Sequence, residues 1–332
     1  MLTESDTIID IFHLTKSTDT NLKLPITVKQ INKVHPTTIT SDITLMNEND
    51  GENHERVNKV PNSFGFLVST EELALTSGIP ESLRGKVWAK LASVSSLHQP
   101  EKYQKLVSAT YTENRAIFEV IDKDLGRCFP EHVVFKDAGG YGQTELGNTL
   151  KSYALYNADL GYCQGMHFLA GMMLLHSKPE DTFWLLVATV KRFCDGFFNE
   201  TLSQIRVDVK VFEKLMRKKL KKIYKKMVEL EVDPLIFLPN WFLTFFIGPL
   251  PWETCLRVWD IIYCDGVKSF FRVALAILKI NEESTSLLTF LTKLPKDSFK
   301  NVENFIRIIF DFQLKTKDIL DLRNKVVKEM EK

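Results

Sequence analysis

Apolar residues recur at helical spacing along most of the chain beyond residue 62, and strand-like alternation is nearly absent. One face of a predicted helix in SLRGKVWAKLAS holds Leu83, Val87, Trp88 and Leu91. The same period predicts helices in NRAIFEVIDKDLGRCF, LGNTLKSYALYNADL, MHFLAGMMLLHS, EDTFWLLVATVKRFCDGFF, WFLTFF, ETCLRVWDIIYCDG and FFRVALAILKI, and a final amphipathic helix within 300–332. Because no repeat of fixed period occurs, we expect an all-α, non-repeating fold.

The segment VFEKLMRKKLKKIYKKMVELEVD predicts one longer amphipathic helix. Its apolar stripe comprises Phe212, Leu215, Met216, Leu220, Ile223, Met227 and Leu230. Eight Lys and Arg residues lie within the thirteen positions from Lys214 to Lys226. The pattern favours a solvated basic face, and the alternative is a surface for an anionic membrane or an acidic protein partner.

Composition separates a polar N-terminal part from the rest of the chain. Residues 1–60 are rich in Thr, Asn, Asp, Glu and Lys, which predicts a disordered or weakly ordered leader. Residues 62–332 are then expected to form one helical domain, with its motif-bearing core at about 78–280. Of all 332 residues, 44% are hydrophobic, and the net charge of +1 gives no indication of nucleic-acid binding.

Two further patterns concern the cellular compartment. The five cysteines are widely spaced without a CxxC pair, which favours a reducing compartment over a disulfide framework. The first residues, MLTESDTIIDIF, lack the basic start of a secretory signal. From Pro234 to Trp252 no residue is charged, but four prolines divide the segment, so it predicts a core helix between turns. We therefore expect a cytoplasmic protein, with peripheral attachment to endomembranes as an open alternative.

The usual catalytic patterns do not fit. GIPESLRGKV has Val87 where a phosphate-binding loop requires Ser or Thr, and GGYGQTE lacks the third glycine of a dinucleotide fingerprint. HExxH and GxSxG are absent, and Cys163 with His167 supplies only two candidate zinc ligands. The sequence predicts no metal site, no cofactor of its own and no hydrolytic site of its own.

Polar residues concentrate at two places. In IDKDLGRCFPEH, Asp124 and Arg127 are three residues apart on a predicted helix, on a different face from Phe118 and Ile121. Taken alone, this pattern favours an ordinary surface ion pair. In GYCQGM, two glycines frame a loop before an apolar helix, and taken alone this favours a tight turn.

These segments belong to a longer series of motifs. GIPESLRGKVW places Arg84 and Trp88 at the spacing RxxxW. IDKDLGR fits IxxDxxR and is followed by RCFP, and GYCQGM fits YxQ with both flanking glycines. Farther along come DPLIFLPNWFLTFF and RVWDIIYCDG, preceded by Asp208, Val211 and Phe212.

In this order, from about residue 64 to about residue 280, the motifs resemble the TBC domain, the family of GTPase-activating proteins for Rab GTPases. The resemblance implies a two-lobed helical domain that binds a Rab GTPase in its GTP form and regulates vesicle traffic. It also implies that Arg127 acts as an arginine finger and Gln164 as a glutamine finger on GTP and Mg²⁺ held by the partner. Cys128 stands where the family usually has threonine.

The same resemblance gives supporting roles to several neighbours. Gly161 and Gly165 would let the loop approach the partner, and Tyr162 would support the loop or contact the GTPase. Asp124 would hold either Arg127 or Arg84 in position, and Arg84 would lie at the margin of the site. The alternative function is a catalytically silent scaffold that binds a GTPase or another partner through the same surface.

Overall fold

The computed structural model describes residues 77–113, 115–199, 201–282 and 294–331, and all regular structure in these ranges is helical. The α-helices are α1 (Arg84–Leu91), α2 (Lys102–Thr110), α3 (Ala116–Leu125), α4 (Tyr141–Tyr156), α5 (Met166–Leu174), α6 (Pro179–Phe193), α7 (Ser203–Lys219), α8 (Lys221–Glu229), α9 (Leu238–Leu243), α10 (Trp252–Asp265), α11 (Lys268–Ile280), α12 (Val302–Asp311) and α13 (Thr316–Met330). The prediction of an all-α fold is therefore confirmed. The predicted leader, residues 1–60, and the predicted start of the domain at residue 62 lie outside the described residues.

Helix α4 is the centre of the first half of the fold and packs against α2, α3, α5 and α6. Its contact with α3 is close because Gly147 faces Leu125, at 3.2 Å from where a Cβ would lie. Helix α2 was not among the predicted helices. Tyr103 is the one buried residue of α2, and its ring lies 5.2 Å from that of Phe183. A helix that buries so few residues shows little apolar periodicity in its sequence.

The second half is built from α7 to α13. Helix α10 packs against α11 and α12, and α13 packs along α7. The contact between α7 and α13 includes a bidentate pair, in which Arg323 donates to both carboxylate oxygens of the buried Asp208 at 2.7 and 2.6 Å. Residues more than a hundred positions apart are thereby fixed against each other.

Asp260, a fully buried residue of α10, joins the two halves. Its carboxylate accepts hydrogen bonds from the Trp88 indole at 2.9 Å, the Arg84 Nε at 3.3 Å and the Ile79 backbone N–H at 3.1 Å. The Trp88 ring also packs on Trp259, at a centroid distance of 5.3 Å. Burial raises the pKa of Asp260, and the positive charge of Arg84 opposes that effect.

The long helix predicted from the basic segment is interrupted. Leu220 has φ −130° and ψ 58°, which are not helical, and α7 ends one residue before it while α8 begins one residue after it. The predicted apolar stripe is buried from Phe212 to Met227, but Leu230 is 50% exposed, so its inclusion was wrong. The final helix predicted within 300–332 is two helices, α12 and α13.

The uncharged segment from Pro234 to Trp252 contains short elements. Pro234–Ile236 is one 3₁₀ turn, α9 spans six residues, and α10 begins only at Trp252. Among the described residues, no helix has both the length and the apolar character needed to cross a bilayer. The prolines at or next to the starts of these elements account for the interruptions, because each lacks the N–H that would continue a preceding helix.

We predict that Asp260→Ala destabilises the domain by about 3 to 5 kcal/mol, because it leaves the buried Arg84 guanidinium without its counter-charge. Urea denaturation followed by circular dichroism measures this change. The matched control is Asp297→Ala, which removes a largely exposed carboxylate paired with Lys300 and should cost less than about 1 kcal/mol. Equal effects of the two substitutions would contradict the role given to Asp260.

Candidate functional site

Asp124 lies in the last turn of α3 and is only 4% exposed. It follows Phe118 by six residues and Ile121 by three, so all three share the buried side of the helix. The sequence-based placement of Asp124 on a different face was therefore wrong, and so was the interpretation of an ordinary surface ion pair. A carboxylate in this environment needs partners, because burying it unpaired is costly.

Arg127 follows the end of α3 and supplies one of those partners. Its backbone N–H bonds to the Asp124 carbonyl at 3.0 Å, and its Nη1 donates to Asp124 Oδ1 at 2.8 Å. The Arg127 side chain is nevertheless 49% exposed. Its remaining guanidinium nitrogens have no partner among the described residues. One edge of the guanidinium is thus held by Asp124, and other donors stay available.

The residues after Arg127 are packed onto α5. The Cys128 thiol lies 3.2 Å from the carbonyl oxygen of His167, and the Phe129 ring packs edge-on to Phe168. Close approach requires glycine at position 171, since a Cβ there would lie 2.2 Å from the Cys128 sulfur. These contacts fix the Arg127 segment relative to the start of α5, where the second motif lies.

That second motif, Gly161–Gly165, forms the loop before α5. Gly161 has φ +64° and Gly165 has φ +105°, both in the region that glycine adopts easily. Tyr162 turns inward and donates its hydroxyl to Asp124 Oδ2 at 2.8 Å. Burial, reinforced by the charge of Asp124, raises the pKa of Tyr162, so the phenol keeps its proton at neutral pH.

Gln164 differs from Tyr162 in its surroundings. The residue is partly exposed, and its side-chain amide makes no hydrogen bond to any of the described residues. Gly161 and Gly165 allow the backbone path of this loop, and the carboxamide is carried by that backbone without being tied to a neighbour. Both oxygens of Asp124 are then occupied, one by Arg127 and one by Tyr162, and this carboxylate links the two motifs.

His167 was not predicted to belong to this cluster. It is 2% exposed, and its Nδ1 lies 3.0 Å from the Tyr162 hydroxyl and 3.8 Å from Asp124 Oδ2. Burial lowers its pKa to about 4, although Asp124 acts in the opposite direction. The available signal was a single ionisable residue within the otherwise apolar MHFLAGMML.

Arg84 is held elsewhere. It is paired with Asp260 and has no contact with Asp124, so of the two arginines considered for Asp124 the structure selects Arg127. Asp260 itself lay within a quoted motif but was not predicted to have a role. The cluster therefore comprises Arg127, Asp124, Tyr162 and His167, with Gln164 two positions after the tyrosine.

The cluster can offer a positive charge and a neutral amide to an anionic ligand from outside. A guanidinium can donate to two oxygens at once, and an amide can both donate and accept. Within the described residues, no group of three or more His, Cys, Asp or Glu side chains is arranged to hold a metal ion.

Comparisons with known proteins find similarity to members of one domain family. The family model of the Rab-GTPase-TBC domain matches residues 81–286. TBC1 domain family member 10A of Mus musculus is 37% identical over 209 residues, 62% of this chain, but the match spans only 41% of the mouse protein's length. TBC1 domain family member whacked of Drosophila melanogaster is 33% identical over 252 residues, covering 73% of this chain and 69% of that protein.

The fold is similar to that of a solved structure as well. The crystal structure of the Chlamydomonas flagellar RabGAP TBC domain aligns with a TM-score of 0.64 and 25% identity. The alignment covers 73% of this chain and 84% of the Chlamydomonas chain. All the elements of the Arg127 cluster fall inside the residues matched by the family model.

We predict that the domain loses stability as the pH falls from about 6.5 towards 4, because the buried His167 and the half-buried His176 must take up protons on unfolding. Burial lowers the pKa of both His167 and His176 to about 4. The unfolded chain binds more protons than the folded chain in this window. The free energy of unfolding is therefore highest above about pH 6.5, and between pH 6.5 and 4 it decreases by up to about 3 kcal/mol per histidine. Urea denaturation at several pH values measures the slope.

Two variants test whether the histidines cause this change of unfolding free energy with pH. His167→Asn should reduce it, because an amide does not titrate, and His176→Asn should reduce it for the same reason. The charged or titratable groups around His167 are Asp124, Arg127, Tyr162 and Cys128, and all four stay unchanged in the variant. An unchanged slope in His167→Asn would refute the assignment.

Proposed function

The chain belongs to the Rab-GTPase-TBC domain family, and from this membership we propose that it accelerates GTP hydrolysis on a Rab-family small GTPase. Arg127 is the proposed arginine finger and Gln164 the proposed glutamine finger. The observation that supports this proposal is the shared carboxylate of Asp124, which accepts from Arg127 and from the Tyr162 hydroxyl two residues before Gln164.

The chemistry of the reaction requires groups of this kind. As water attacks the γ-phosphoryl group, negative charge spreads over its oxygens, and a cation stabilises that charge. Arg127 remains charged at any relevant pH and can bridge two oxygens. A carboxamide orients the attacking water by accepting from it, while its NH₂ donates to phosphate. GTP and Mg²⁺ would both be bound by the GTPase.

Asp124 prepares Arg127 for this role. An arginine side chain loses about 2 kcal/mol of rotamer freedom when it is fixed. The bond from Nη1 to Asp124 restricts the side chain before the partner arrives, and its half-exposed position leaves donors for phosphate oxygens. Catalysis by pre-placed charge costs little reorganisation at the moment of reaction.

The other candidate function is a scaffold that binds a GTPase without accelerating hydrolysis. It would use the same surface, and it requires that the two proposed fingers contribute to contact only. Binding that depends on the nucleotide, with a hydrolysis rate equal to that of the GTPase alone, would favour it. Together with the GTPase-activating function we propose a role in vesicle traffic and localisation to the cytoplasm.

The basic face carries a further proposal, attachment to an anionic membrane. Beside the break at Leu220 the structure leaves a group of basic side chains exposed: Arg217, Lys218, Lys219, Lys221, Lys222 and Lys225. Each basic residue near an anionic surface contributes about 1 kcal/mol. Some of this charge also complements the C-terminal end of α7, which is the alternative role of the same residues.

We predict that Arg127→Ala slows single-turnover GTP hydrolysis by about 10³ to 10⁵ relative to the wild type, on whichever member of a Rab panel responds. This corresponds to roughly 4 to 7 kcal/mol of barrier. Gln164→Ala should also be strongly impaired. Arg127→Lys should not restore the rate, because an ammonium cannot bridge two oxygens as a guanidinium does.

The matched controls are Arg307→Ala and Gln313→Ala, which remove the same side-chain types from exposed positions in and after α12. Both should hydrolyse GTP at the wild-type rate. The proposed function fails if no Rab is accelerated, or if Arg127→Ala and Gln164→Ala are as active as these controls.

We predict that the domain sediments with phosphatidylserine vesicles at low salt and is released as the ionic strength rises. The variant K218E/K219E/K221E should lose most of this binding. The control variant K86E/K105E/K300E reverses three exposed lysines elsewhere on the surface and should keep it. Equal binding by the two variants, or binding that salt does not affect, would show that the basic face is not the attachment surface.

A further inference from the structure

His167 is a buried ionisable residue to which the proposed hydrolysis mechanism gives no role. It lies in the first turn of α5, and the ring nitrogen Nδ1 is 3.0 Å from the Tyr162 hydroxyl oxygen. The other ring nitrogen, Nε2, is buried without a hydrogen-bond partner among the described residues. Only one side of the imidazole therefore has a polar contact, and that contact is with the loop that carries Gln164.

The direction of the hydrogen bonds follows from counting protons. Tyr162 has one hydroxyl proton, and Asp124 Oδ2, at 2.8 Å, is an acceptor that has none to give when ionised. The Tyr162 oxygen must then accept from His167, so Nδ1 carries the proton. If Nε2 carried it, a lone pair on Nδ1 would face one on the Tyr162 oxygen, and a buried N–H would remain unpaired.

The resulting chain of hydrogen bonds runs in one direction to a shared acceptor. His167 donates to Tyr162, Tyr162 donates to Asp124 Oδ2, and Arg127 donates to Asp124 Oδ1 from the other side. Bonds in such a series polarise one another, and the buried setting strengthens them. The carbonyl of His167 also contacts the Cys128 thiol, next to Arg127 in the chain.

We propose that His167 is a positioning residue, which by donating from Nδ1 to Tyr162 fixes the Asp124 carboxylate and through it the orientation of Arg127. The consequence for hydrolysis rests on the proposed function of Arg127. The hydrogen-bond direction itself does not, since it is a property of the domain without a partner. His167 would touch neither the nucleotide nor the water, and its effect is transmitted through two side chains.

Two substitutions separate donation from packing. Asparagine places its amide nitrogen at about the position of Nδ1, so His167→Asn keeps the donor to Tyr162. Leucine fills a similar volume but has no donor, so His167→Leu keeps packing and removes the hydrogen bond. Tyr162→Phe interrupts the same chain one step later, and it serves as the second variant if His167→Leu fails to fold.

With the domain at saturating concentration, we expect His167→Leu to lower the single-turnover rate of GTP hydrolysis about tenfold or more. The reason is that a small displacement of Arg127 from its catalytic position is costly. Affinity for the GTP-bound Rab should change less than threefold. His167→Asn should stay within threefold of the wild-type rate. Tyr162→Phe should lower the hydrolysis rate about as much as His167→Leu does. The double variant H167L/Y162F should lower it no further than either single variant, because both interrupt the same chain of hydrogen bonds.

A spectroscopic measurement tests the proposal without a GTPase. In the domain labelled with ¹⁵N-histidine, the ring nitrogen signals of His167 should show a protonated Nδ1 and a bare Nε2 at neutral pH. Tyr162→Phe should shift the Nδ1 signal, because its acceptor is removed. A protonated Nε2 would overturn the proposal, whatever the result of the activity measurements.

The kinetic results can also overturn it. If His167→Asn loses as much rate as His167→Leu, the residue acts through packing and not through donation. If both keep the wild-type rate, the orientation of Arg127 does not depend on it. If the wild-type domain accelerates no Rab, the proposed function fails, and the nitrogen signals alone then decide whether His167 donates to Tyr162.

Discussion

A carboxylate that folding removes from water requires hydrogen-bond donors, and the two acceptor atoms of Asp124 obtain theirs from two different parts of the chain. Oδ1 accepts from Arg127, three residues away, and Oδ2 accepts from Tyr162, thirty-eight residues away. Leaving either oxygen unpaired at 4% exposure would cost free energy. The need to give both oxygens of one buried carboxylate a donor thus holds the Arg127 segment beside the Gln164 loop.

The same principle recurs at two other buried aspartates. Asp208 accepts hydrogen bonds from two nitrogens of Arg323 in α13. Asp260 accepts from Arg84, from Trp88 and from a backbone N–H in the N-terminal part of the described chain. Burial raises the pKa of both, which the nearby arginines oppose. Such pairs add little net stability compared with apolar contacts, but removing one partner is costly. We infer that they specify which segments meet.

Much of the fold could be predicted from apolar periodicity, because most helices bury one continuous stripe. Two of the errors depend on a single residue, and the third concerns a whole helix. Leu220 keeps its place in the stripe while its backbone leaves the helix, and Leu230 continues the spacing after α8 has ended. Helix α2 was missed because it buries little apolar surface. The first two features leave the apolar period of the sequence unchanged, and α2 shows little apolar period to begin with.

The site shows a similar division. Motif resemblance located Asp124, Arg127, Tyr162 and Gln164, but not that Asp124 is buried or that it serves Arg127 rather than Arg84. His167 and Asp260 were missed because the sequence around a polar residue does not reveal a partner that lies far away in the chain. Partners far apart in sequence become neighbours only through packing, as when Gly171 admits the Cys128 sulfur.

Arg127 and Gln164 are placed by different physical means, and this difference has consequences for a reaction with a partner. A charged guanidinium loses considerable side-chain entropy when fixed, and Asp124 restrains it through one nitrogen while about half of the side chain faces solvent. The neutral Gln164 has no restraining bond among the described residues, and its position is set by the backbone of a loop framed by Gly161 and Gly165. Changes to the Asp124 network should therefore affect the arginine first, whereas changes to loop geometry should affect the amide first.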